Sequence, residues 1–138
     1  MTGVRIMITA VIAACGLAGA AAAQNFTSQM QATGDFDGDG LTDTAQMVSN
    51  DRGYHVTVTR GAAPRDPAVI AEGPAERAPN TMNVVPPGEF RTTAAGPGEG
   101  RSEQIRTRGQ ALIYGTAESS SALVYWTGDE FRTVWLAD

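Results

Sequence analysis

The chain has 138 residues, enough for one domain with a modest core and too few for several. Its formal charge is −5 and all ten basic residues are arginine, a balance that argues against a nucleic-acid partner. A single cysteine excludes an internal disulfide, so any extra staple must come from another chemistry.

Residues 1–23 read as a secretory leader: Arg5, an apolar run over 6–19, then small residues Ala20 to Ala23 before the expected cleavage site. The run is short for a membrane span of about 30 Å. Residues 12–15 (IAAC) also have the form of a lipobox, in which Cys15 would carry lipid and anchor an otherwise structural protein to a membrane. On the alternative reading Cys15 is only a small apolar leader residue. Cleavage after Ala23 leaves a single domain at 24–138, exported to the periplasm or secreted, without cysteine. Loss of Arg5 takes its formal charge from −5 to −6.

Residues 24–33 are polar and read as a loose lead-in, with Phe26 and Met30 as anchors. After an aspartate-rich loop, residues 44–49 (TAQMVS) and 54–60 (YHVTVTR) flank the turn-like Asn50-Asp51-Arg52-Gly53, which predicts a β-hairpin. Further strands are expected at 68–72, 82–85, 105–107, 111–114, 122–126 and 131–136. Pro86-Pro87-Gly88 and residues 94–100 read as loops, and 127–130 as a four-residue hairpin loop with Gly128. A short helical turn is possible at 115–121. About eight short strands with turn signals between them predict an all-β fold, a small sandwich or barrel-like antiparallel domain.

The stretch GDFDGDGLTD (34–43) places Asp35, Asp37, Asp39 and Asp43 at positions one, three, five and nine of a loop. Alternate residues of a coiling loop can converge on one centre, Gly40 at position six permits the sharp turn, and the carbonyl of Leu41 at seven can add a donor. Hard oxygen donors without nearby His or Cys select Ca²⁺ over zinc or copper. Position twelve is Gln46 where an EF-hand carries glutamate, and a strand follows where an EF-hand has a helix. The competing reading is a metal-free turn held by aspartate side chains on backbone N–H groups.

Residues 34–60 resemble one FG-GAP or VCBS-type repeat, whose hallmark is a D-x-D-G-D-G-x-x-D loop leading into a strand and hairpin. The resemblance implies Ca²⁺ held by Asp35, Asp37, Asp39 and Asp43, and an extracellular binding role. Many members are tandem arrays forming propellers; one copy excludes a propeller for a monomer. The ending, 117–138, is similar to the tails of small exported bacterial proteins carrying one such loop.

Other candidates carry less. His55, the lone histidine, sits in a strand pattern typical of a surface or satisfied residue. Ser119 to Ser121 lack the glycine pattern of a nucleophile elbow. Glu118 and Asp129 are the carboxylates on which a glycan-directed envelope hydrolase would depend. Tyr125, Trp126, Phe131 and Trp135 read as core of the last hairpin, or else as a sugar- or partner-binding platform. Arg101, Arg106 and Arg108 offer an anion patch or a solvated strand face. The expectation is a non-catalytic, calcium-stabilised module with a protein or glycan partner in the cell envelope, and contact with a membrane only if Cys15 is lipidated.

Overall fold

A computed structural model describes residues 26–93, 103–117 and 121–136. The expected leader, Cys15, Arg101, Glu118, Ser119, Ser120 and the 94–100 loop lie outside the described residues. The fold is all-β. Its strands are β1 (Phe26–Gly34), β2 (Asp43–Asn50), β3 (Gly53–Thr59), β4 (Ala68–Gly73), β5 (Thr81–Val85), β6 (Glu89–Arg91), β7 (Gln104–Arg106), β8 (Ala111–Gly115), β9 (Ser121–Trp126) and β10 (Phe131–Trp135). One 3-10 turn, Ala75–Arg77, is the only helical element among the described residues. It falls between β4 and β5; residues 118–120 of the 115–121 segment lie outside the described residues.

Two four-stranded antiparallel sheets, ordered β1-β2-β3-β4 and β10-β9-β8-β5, make up most of the domain, with β6 and β7 as a separate ribbon. β1 adjoins β5 and β4 adjoins β10, so the sheets approach each other along both sides. Between them lies one core. Ala45, Met47, Val56 and Val58 come from the first sheet and Leu112, Tyr114, Ala122 and Val124 from the second. β2 shows why this packs: residues 43, 45, 47 and 49 are all buried, while their neighbours are only partly so. β9 is apolar and buried at three successive positions, Ala122, Leu123 and Val124, so both of its faces are covered.

The hairpin around 50–53 forms as its sequence predicts. Asn50 pairs with Gly53, and the Asn50 Oδ1 accepts the Arg52 and Gly53 N–H groups at 2.9 and 3.3 Å. The lead-in does not stay loose: 26–34 is a strand paired with β2 along its length, Gly34 opposite Asp43. Its core-facing side chains are Met30 and Ala32, set among Ser, Gln and Thr. A period of two is therefore present with little hydrophobic contrast, which is why the sequence understates it.

Candidate metal loop

β1 and β2 are adjacent antiparallel strands, and the acidic loop is their connection. The first requirement is that this loop be fixed, and position two does that. Phe36, between Asp35 and Asp37, is 2 % exposed and belongs to the core cluster. Burying such a side chain contributes on the order of 1.5–3 kcal/mol. Gly38 and Gly40 have φ of 75° and 85°, a left-handed backbone that glycine adopts without a Cβ penalty. The sequence assigned that role to Gly40; Gly38 shares it.

Asp43 closes the loop from inside. It is fully buried, its Oδ2 accepts the N–H groups of Phe36 and Asp37 at 2.8 and 3.3 Å, and its Oδ1 accepts the Gly61 N–H at 2.8 Å. Gly61 is tight against the residue that precedes Asp43, since a Cβ there would stand 2.7 Å from the Thr42 carbonyl oxygen. The structure thus ties both ends of the loop to one carboxylate.

Asp35, Asp37 and Asp39 form the acidic group: one carboxylate oxygen of each lies within 4.8 Å of the other two. Asp43 is not in that group. One oxygen of each of the three accepts a loop N–H: Asp35 Oδ2 from Gly40 at 3.0 Å, Asp37 Oδ1 from Asp39 at 3.2 Å, Asp39 Oδ1 from Leu41 at 2.7 Å. These are the bonds a metal-free turn would use, and they leave the second oxygen of each carboxylate. Asp37 Oδ2 meets Arg60 at 3.6 Å, and the Asp37 side chain is only 4 % exposed. Burial pushes the Asp37 carboxyl above its ordinary range, and the Asp43 and Asp39 charges add to this against the Asp39 N–H. Asp35 Oδ1 is buried with no hydrogen-bond partner. An oxygen of a carboxylate left bare in this way is costly unless a cation or donor meets it. The residues therefore fit a hard cation: three carboxylates, all-oxygen donors, and one buried oxygen without a donor. Leu41 lies on the outer turn, its side chain half exposed.

What the sequence did not reveal is the platform beneath. Gly109 lies under the loop, where a Cβ would approach Asp35 O and Gly38 N at 2.9 Å. Beside it Gln110 bonds the Asp35 backbone through both its main chain and its side chain. Arg60 is the third addition: besides facing Asp37 it lies over the Trp126 ring, 4.9 Å from its centroid.

His55 and Asp129 are not part of this acidic group. His55 is exposed on β3. Asp129 is exposed in the last hairpin loop, where the Thr127 hydroxyl donates to it at 2.6 Å and holds its carboxyl below the usual range. A general acid needs the opposite displacement. Phe131 and Trp135 pack against the core, and Trp126 meets Phe131 edge-on at 4.8 Å.

No protein-family model, no curated protein and no solved structure matches the chain.

Proposed function

We propose that this chain is an exported β domain stabilised by a calcium ion on the loop Asp35 to Asp43, and that it binds a partner in the cell envelope without transforming it. The observation that carries the loop reading is the buried, unpartnered Asp35 Oδ1 beside the carboxylates of Asp37 and Asp39. The resemblance of 34–60 to an FG-GAP or VCBS-type repeat supports the same ion. Asp35, Asp37 and Asp39 would hold it directly, with the Leu41 carbonyl as the further donor the spacing suggests, while Asp43, whose two oxygens accept the Phe36, Asp37 and Gly61 N–H groups, would tie the loop around it.

The ion supplies positive charge where three carboxylates otherwise repel one another. With dissociation constants of about 10⁻⁴ to 10⁻³ M for extracellular calcium modules, millimolar calcium adds roughly 0.4–1.4 kcal/mol by mass action. That is a useful increment on a total stability of about 5–15 kcal/mol.

The test is thermal unfolding in calcium and in chelator, for the wild type and for Asp35→Asn and Asp37→Ala/Asp39→Ala variants. Calcium should raise the midpoint of the wild type alone. A wild-type midpoint indifferent to calcium would reduce the loop to a hydrogen-bonded turn.

A further inference from the structure

Next to the acidic loop lies a cleft of about 560 Å³ between Asp37, the β7–β8 connection and the end of β9. We infer that this cleft binds a carboxylate-bearing sugar, one or two residues of an acidic glycan. The inference takes the binding-module reading as its premise and names the ligand class.

Three features of the lining point to that class. The first is charge. Arg106 and Arg108 both reach the cleft from one side of the chain, flanking the buried Thr107. Arg108 makes no ion pair among the described residues, and Arg106 meets only Glu89, at 3.5 Å with both side chains largely exposed. A guanidinium fork matches a carboxylate in two parallel hydrogen bonds, and this pair has that capacity to spare. The two arginines are the basic side chains of the lining, against one acidic side chain, Asp37.

The second feature is the aromatic wall. Tyr125 and Trp126 line the cleft, both half-buried. Trp126 is held by Arg60 over its ring and by the edge contact with Phe131, so it is a fixed surface and not a mobile one. Rigid aromatic area beside a few placed polar groups suits a ligand with an apolar C–H face and a charged substituent, which a sugar acid has and a bare inorganic anion lacks.

The third is backbone access. Gly38, Gly109 and Gly128 also line the cleft and carry no side chain into it, and Thr127 completes the lining. A Cβ on Gly128 would meet nothing within 4 Å, so the rim by the last hairpin is open to a ligand that extends beyond one ring. The volume lies within the roughly 300–1,000 Å³ usual for small-molecule sites. Asp37 is the one acidic side chain in the lining, and Arg60 faces its free oxygen.

The experiment is isothermal titration of the protein with digalacturonate, with the neutral disaccharide galactobiose, and with inorganic phosphate, each run also on Arg108→Ala. Digalacturonate should bind, galactobiose and phosphate should bind at least about tenfold more weakly, and Arg108→Ala should weaken digalacturonate by about tenfold. The substitution is at an exposed position, so an unchanged unfolding midpoint identifies the loss as one of binding. Absence of digalacturonate binding at millimolar concentration overturns the inference. So does phosphate binding as tight as digalacturonate, which reduces the cleft to a general anion site. Release of the monosaccharide overturns it together with its premise. Calcium titrated into the same preparation keeps the loop separate: calcium binding without digalacturonate binding retires the cleft and leaves the loop, and the converse retires the loop and leaves the cleft.

Discussion

Gln110 holds the backbone of Asp35 from both sides. Its N–H donates to the Asp35 carbonyl at 2.9 Å, and its side-chain Oε1 accepts the Asp35 N–H at 2.8 Å. The first acidic residue of the loop is thereby positioned by a residue 75 places away in the chain. Gln110→Ala removes the side-chain half of that grip and should cost about 1–2 kcal/mol in chemical denaturation. Gln110→Glu keeps an acceptor for the Asp35 N–H in place and should recover much of the loss.

Asp43 should be the most sensitive residue of the loop. Three backbone N–H groups converge on its buried carboxylate, so Asp43→Ala orphans all three and should destabilise by about 3 kcal/mol or more. Asp43→Asn keeps the shape and one acceptor oxygen and should fall between. Urea unfolding of both in chelator measures this with any ion contribution removed. Equal, small effects would show that the carboxylate is not the loop's internal tie.

Gly109 should tolerate no side chain. The atoms a Cβ would approach at 2.9 Å are backbone, so neither can rotate away. Gly109→Ala is expected to cost about 1–3 kcal/mol by overpacking and to weaken the proposed calcium binding by displacing the loop. A variant with wild-type stability would mean that the loop lifts freely from its platform.

Alkaline pH should expose Tyr114. Burial pushes its phenol from 10.0 up to about 12, with the neighbouring Tyr54 adding and a hydrogen bond with Thr133 opposing. The folded value lies above the unfolded one, so the neutral phenol favours the fold. That contribution is complete below pH 10 and is withdrawn as pH rises towards 12. Tyr114→Phe should remove this part of the alkaline loss, seen as a flatter stability profile between pH 10 and 12. Wild type and variant falling in parallel across that interval would refute the assignment.

The parts of this fold that sequence makes legible are the local ones. The hairpin around Asn50 and Gly53 and the left-handed turn at Gly40 follow from residues within a few places of each other. The three convergent aspartates do too. β1 is less visible because Met30 and Ala32 give a weak apolar stripe. β6 is only three residues long and pairs with β7 across the chain, so it leaves no pattern of its own. Asp43 looks in sequence like its fellow aspartates; only the opposing N–H groups of Phe36, Asp37 and Gly61 distinguish a buried tie from a surface carboxylate. Gly109, Gln110 and Arg60 acquire meaning through contacts between distant segments, which spacing does not encode.

The grip of Gln110 on Asp35 also sets an order of events. Contacts between segments so far apart form late, because the intervening chain must first be organised at an entropic cost. In an unfolded chain the aspartates have no platform, so a cation has little to hold until β8 has docked. An ion held there would act as a latch on the finished molecule: it would slow unfolding while leaving the folding rate nearly unchanged. For a domain without an internal disulfide, the gain would be measured in lifetime more than in equilibrium stability.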